Sequence, residues 1–198
     1  MYKKDEVKKE IVFLYPIDGI FDSAARVSAY NSKNLKDNQG NSMLGEFAIS
    51  DDDKDMFIQG LNTVLPEIYE KIIKITDGTS ADAFGVDMMK TGEKQAVDKE
   101  GKPSVDNEGN PVMEDIIENC VYFKIKNNDA YNKNVLLLVD TSFLECIIEG
   151  SLHSWYKNAA QSDFMAMYAR SFAYNLEKLF SRMFQLKIKK TVNMLGMQ

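Results

Sequence analysis

Apolar residues recur every three or four positions from residue 141 to residue 185 with a single polar interruption, the longest helical pattern in the chain. Its first half, TSFLECIIEGSLHSWYKNA, places Phe143, Ile147 or Ile148, Leu152 and Trp155 or Tyr156 on one broad stripe. Asp140 and Thr141 offer side-chain oxygens to the free N–H groups of a helix start, so Thr141 is read as the N-cap. The second half opens at Ser162 and turns Phe164 or Met165, Tyr168, Phe172, Leu176, Leu179, Phe180 and Phe184 inward. Only residues 158–161 separate the two halves, a connection short enough to predict an antiparallel helical hairpin.

The remaining pattern predicts further helices and little sheet. Val7, Ile11 and Leu14 sit at helical spacing among charges, which predicts a short helix over residues 3–14 ended by Tyr15-Pro16. Asp22 or Ser23 would cap a second helix carrying Ala25, Val27, Ala29 and Tyr30, and a polar loop then runs on through MLGEFAIS. Ser50 and the acids Asp51, Asp52 and Asp53 open a strong helix with Phe57, Leu61, Val64 or Leu65, Ile68, Ile72 and Ile75 on one stripe. Pro66 has no N–H to donate, so that helix is expected either to kink or to divide in two. Residues 77–112 lose all periodicity and hold five of the 11 glycines and two of the 4 prolines, which reads as an arm that is flexible or ordered by a partner. KEGKP and DNEGNP within it look like turns at the tip of an extended hairpin. Val121, Phe123 and Ile125 then alternate with Tyr122, Lys124 and Lys126, the period of a half-buried strand. NKNVLLLVD is either a second buried strand or an apolar lead-in to the helix at Thr141. The fold class expected is mainly α: a helical bundle with a small β-hairpin element and a long polar insertion, in a single domain over residues 1–198.

Composition narrows the functional classes. With 44% hydrophobic and 27% charged residues the chain is in the range of soluble globular proteins, and no apolar run approaches the roughly 20 residues of a membrane span. The start MYKKDEVKKE mixes acids with its lysines and reads as no targeting segment. The net charge of −6 conceals an asymmetry: no acid follows Glu177, so residues 1–177 carry 19 bases against 30 acids. An acidic body with a basic tail over residues 186–198 is suited to touching something acidic rather than to general nucleic-acid binding. Cys120 and Cys146 read as buried free thiols. His153, the sole histidine, follows Glu149 by four residues and reads as a partly buried histidine held by that carboxylate. Asp51 to Asp55 lacks the glycine and terminal glutamate of a calcium loop. No phosphate loop, dinucleotide fingerprint, nucleophile elbow or zinc-protease motif is present, so no catalytic, cofactor or metal residue is assigned and no enzyme is expected.

The surplus is apolar. Met165, Met167, Tyr168, Phe172, Tyr174, Met183 and Phe184 spread round more than one side of their helix, and these residue types favour interfaces. Trp155, Tyr156, Phe164, Tyr168, Phe172, Tyr174 and Phe184, with Lys187, Lys189 and Lys190 of the tail, are therefore the expected contact residues.

The acid-led helix DDDKDMFIQGLNTVLPEIYEKIIKI, the strand YFKI and the hairpin TSFLECIIEGSLHSWYKNAAQSDFMAMYARSFAYNLEKLF with its basic end resemble small structural proteins of tailed bacteriophages. The resemblance is to head-completion or neck ring proteins, including those of crAss-like and other Bacteroides phages, and covers residues 3–75 and 116–190. It implies copies closed into a cyclic collar, commonly twelvefold, between the portal and the adjoining ring or tail proteins. The DNA genome would then pass without sequence-specific contact, and the chain would be a virion neck component made in the host cytoplasm. Two other readings fit the same residues: a soluble helical interaction or regulatory protein, and a tail-completion protein.

Overall fold

The computed structural model describes residues 2–5, 10–73, 75, 83–98, 100–126 and 131–187. Among these, the fold is mainly helical and carries a four-stranded antiparallel sheet, larger than the hairpin expected. Strands β1 (Tyr2–Asp5) and β2 (Glu10–Pro16) lead into α1 (Ile17–Ser32), a single-turn α2 (Leu44–Phe47) and α3 (Lys54–Ile73). The long strands β3 (Phe84–Gln95) and β4 (Met113–Lys126) follow, then α4 (Leu136–Asn158) and α5 (Ser162–Lys187).

The N-terminal segment corrects the helix expected over residues 3–14. Ile11, Phe13 and Tyr15 alternate, and their register against Ile125, Phe123 and Val121 of β4 puts all six on one sheet face. The spacing of Ile11 and Leu14 suits a helix equally well, but EIVFLYP is β-branched and aromatic, and pairing with β4 decides it. The strand order is β1-β2-β4-β3. Lys3 on one edge strand donates from Nζ to the Lys90 carbonyl on the other at 2.7 Å, so the sheet is coiled enough to bring its edges within a lysine's reach.

Helix α1 starts immediately after Pro16, so Asp22 and Ser23 are interior residues and not caps. Ser50 closes a capping box with Asp53 before α3, as an acid-rich start requires. Pro66 lies inside an uninterrupted α3 on its exposed side, one turn after the exposed Asn62 whose carbonyl it cannot bond; the divided helix does not form. Val135 to Asp140 is not a second strand. The residues from Leu136 onward are the first turns of α4, and Thr141 is inside that helix, its hydroxyl donating to the Leu137 carbonyl at 2.9 Å. A continuous apolar run fits a buried strand or a helix alike; here Leu136 and Val139 are buried at helical spacing while Leu137 and Leu138 stay exposed.

Helix α4 is the centre of the molecule. Phe143 stacks on Phe123 of β4 at 4.6 Å and packs on Phe13 of β2 at 4.9 Å, which fastens the sheet to the helices. Residues 159–161 turn the chain back, with Ala160 at a positive φ of 55°, and α5 packs antiparallel to α4 as the short break predicts. The helices approach closely at Gly150, where a Cβ would stand 2.5 Å from Val64 of α3 and 2.8 Å from Phe172 of α5. Gly60 of α3 faces Ser154 of α4 in the same seam.

Gly150→Ala forces these helices apart and is expected to cost about 1–3 kcal/mol. Gly19→Ala, which meets nothing within 4 Å on α1, is expected to stabilise by about 0.5–1 kcal/mol. Urea midpoints of the two variants moving in the same direction would refute this reading of the seam.

Candidate interaction surface

Residues 83–98 and 100–126 form a β-ribbon whose first strand and tip fall in the stretch without period and whose second strand ends in the alternating Val121, Phe123 and Ile125. It runs along α3: Phe84 stacks on Tyr69 at 4.4 Å, while Met88 and Ile117 line a cleft with Ile17, Ile58 and the Lys54–Asp18 ion pair near the start of the helix. Beyond Lys90 the pairing register shifts by one residue at Thr91, and Lys90 bridges Glu93 and Asp115. A bulge of this kind turns the ribbon more sharply.

The tip is built from one turn used twice. VDKEGKP at 97–103 and VDNEGNP at 105–111 repeat at a spacing of eight residues, a signal in the sequence that periodicity scanning misses. In each lobe the aspartate Oδ1 accepts two backbone N–H groups. Asp98 takes those of Glu100 (2.8 Å) and Lys102 (2.9 Å); Asp106 takes those of Glu108 (2.8 Å) and Asn110 (2.9 Å). Gly101 and Gly109 supply the positive φ, 79° and 84°, that closes each loop. The bridges Val97 to Pro103 and Val105 to Pro111 set the lobe necks. A third turn of this design, KDNQGNS at 36–42, uses Asp37 and Gly40 in the same way between α1 and α2.

The two lobes meet in a ring of three backbone hydrogen bonds. Ala96 donates to Val112 (2.8 Å), Val112 to Ser104 (3.0 Å) and Ser104 to Ala96 (2.8 Å). The tip thus satisfies much of its backbone locally and needs no apolar core. Its apolar side chains are left outside: Val97 is 60% exposed, Val105 58% and Met113 51%. Among the described residues of the tip the acids Asp98, Glu100, Asp106 and Glu108 stand against the single base Lys102. Hydrogen bonding to Asn110 and Glu108 holds the Asp106 carboxyl below its ordinary value, and Asp37 is lowered in the same manner by Asn41.

The expected contact residues separate sharply. Trp155, Tyr156, Tyr168 and Phe172 are buried in the subunit's own core, where Tyr156 and Tyr168 stack at 5.1 Å and Tyr156 donates to the Phe47 carbonyl at 2.6 Å. Burial pushes the Tyr168 hydroxyl up to about 12. Phe164 is half-buried against Tyr156 and Phe47, beside a groove of about 380 Å³ also lined by Leu35, Met43 and Met167. Tyr174 and Phe184 stay on the outer face of α5. Lys187 donates to the Ile75 carbonyl at 3.1 Å; Lys189, Lys190 and the rest of the tail lie outside the described residues.

Two polar readings change. His153 donates from Nδ1 to the Met165 carbonyl at 3.2 Å, joining α4 to α5, instead of resting on Glu149. Glu149 keeps one buried carboxylate oxygen without a partner; burial raises its carboxyl, a Ser171 hydrogen bond opposes the rise, and nearby Glu145 adds to it. Cys120 and Cys146 are free and buried, as expected from the sequence, and burial raises both thiols.

No family model, curated protein or solved structure matches the chain.

Asp106→Ala removes three accepted hydrogen bonds, two from backbone N–H groups and one from Asn110 Nδ2, from an exposed lobe and nothing from the core. Hydrogen exchange at Glu108 and Asn110 is expected to accelerate while the melting temperature holds; a large fall in melting temperature would show that the tip supports the body. At Glu149 the charged form is the one penalised by folding. Its stabilising contribution is therefore complete below the ordinary glutamate value and is lost as pH rises through the raised one. Glu149→Gln should raise the urea midpoint at neutral pH and lose that advantage near pH 4, about the ordinary glutamate value.

Proposed function

We propose that this chain is a non-catalytic interaction protein that assembles with copies of itself through the ribbon. The observation that supports this is the division of labour in the arm: its tip is ordered by local polar bonds, while Val97, Val105 and Met113 face solvent. Exposed apolar residues on a projecting ribbon cost solubility unless something covers them. Tyr174 and Phe184 on the outer face of α5 supply a second surface of interface character. An arm from one copy reaching a different patch on the next makes a heterologous contact, which closes into a ring or propagates as a filament.

The narrower setting we propose is the neck of a tailed bacteriophage, the role implied by the resemblance of the helical hairpin and acid-led helix. Copies there would form a collar beneath the portal and adjoin further ring or tail proteins. The excess of acids over residues 1–177 suits a channel wall that must not grip DNA.

Sedimentation equilibrium of the full chain should reveal concentration-dependent association that Val97→Ser with Val105→Ser weakens, and no binding to duplex DNA at about 0.15 M salt. A monomer persisting to about 1 mM, where even ~4 kcal/mol of association would register, would remove self-assembly. Tight DNA binding would remove the channel-wall reading.

A further inference from the structure

We propose that the two-lobed tip of the ribbon is a receptor for the C-terminal tail of a second copy. The inference rests on the self-assembly reading and names the surfaces that make the contact.

Charge and polarity complement one another. The tip offers Asp98, Glu100, Asp106 and Glu108 around the exposed Val97 and Val105. The tail, which lies outside the described residues, has no acid; it presents Lys189 and Lys190 and then Val192, Met194 and Leu195. Lysines followed by apolar residues fit acids surrounding valines, the charges steering the encounter and the apolar groups holding it. The side chains of Glu100 and Glu108 are exposed; Glu108 meets Asn110 Nδ2 only at 3.5 Å, and neither carboxylate is needed for the aspartate-to-backbone bonds that close its turn. Glu100 has Lys102 at 2.8 Å as an exposed neighbour, a pairing weak enough to exchange.

Reach assigns the contact to a second copy. The tail departs at Lys187, whose ammonium bonds Ile75 beyond the C-terminal end of α3. The ribbon passes from Tyr69 towards the opposite end of that helix, where Met88 lies near Ile58, and continues to the tip. The described α3 of 20 residues is about 30 Å long, and Gln95 is a further seven residues past Met88, about 23 Å of strand. Leu195 stands eight residues past Lys187 and reaches at most about 29 Å. In the same subunit the apolar part of the tail would be spent in running back along α3.

A charge exchange in the full-length protein tests this by sedimentation. Glu100→Lys with Glu108→Lys, or Lys189→Glu with Lys190→Glu, should each weaken self-association about tenfold or more through like-charge contact. The protein carrying all four substitutions should recover association, and so should an equimolar mixture of the two double variants. Zero-length carboxyl-to-amine cross-linking of mixed ¹⁴N- and ¹⁵N-labelled protein should join Lys189 or Lys190 to Glu100 or Glu108 across isotopes. Parental protein that assembles while both double variants assemble equally well overturns the tip-to-tail contact and leaves self-assembly standing. Cross-links confined to one isotope overturn the second copy as the partner, and a parental protein that never associates overturns both readings.

Discussion

The burial of α4 on several sides is the constraint from which the other elements take their places. Phe143 meets the sheet through Phe13 and Phe123, Gly150 admits Val64 and Phe172, and Trp155 and Tyr156 close the far end. Each large apolar side chain enclosed this way contributes about 1.5–3 kcal/mol, several times the worth of an exposed ion pair such as Lys71 with Glu177. A helix enclosed on so many sides needs small residues where neighbours come closest. Gly150 meets that need directly, and Gly60 does so from the α3 side of the same seam.

The ribbon obeys different physics. Its base is fixed by Phe84 against Tyr69 and Phe123, within the apolar economy of the body. Past the register shift at Thr91 the stabilising contacts become ion pairs, aspartate-to-backbone bonds and the three-residue ring of Ala96, Ser104 and Val112. Local bonds of this kind hold a shape without consuming apolar side chains, so the valines of the tip remain free to meet another molecule. On the proposed self-assembly, stability and contact fall in separate parts of the chain, and a partner would engage the arm without disturbing the core.

Polar groups inside the helical hairpin tie particular elements together. Tyr15 bonds both the carbonyl and the carboxylate of Asp140, Arg182 reaches the Leu138 carbonyl and Ser142, and Lys178 pairs with Glu145. Among the described residues Ser151 Oγ, Trp155 Nε1 and one carboxylate oxygen are the exceptions, buried without a partner, and the oxygen belongs to Glu149 between α4 and α5. Its raised carboxyl makes it a local penalty at neutral pH rather than a bond.

The helical hairpin, the acid-led start of α3, the free cysteines and the absence of periodicity at the tip were legible in the chain because each depends on local spacing or side-chain type. Residues 97–111 also carried their turn chemistry in plain form, as a repeated aspartate and glycine, though a search for amphipathic period passes over it. What local spacing could not decide was the partner of each apolar run. Ile11 to Tyr15 becomes a strand because β4 is available to pair with it, and Leu136 to Asp140 becomes helix with Leu136 and Val139 buried and Leu137 and Leu138 left exposed. The aromatics divide for the same reason: Tyr168 and Tyr174 are six residues apart on one helix, yet packing buries the first and leaves the second 69% exposed. Spacing along a chain fixes which side chains share a face; only the three-dimensional arrangement of neighbours fixes which faces are covered.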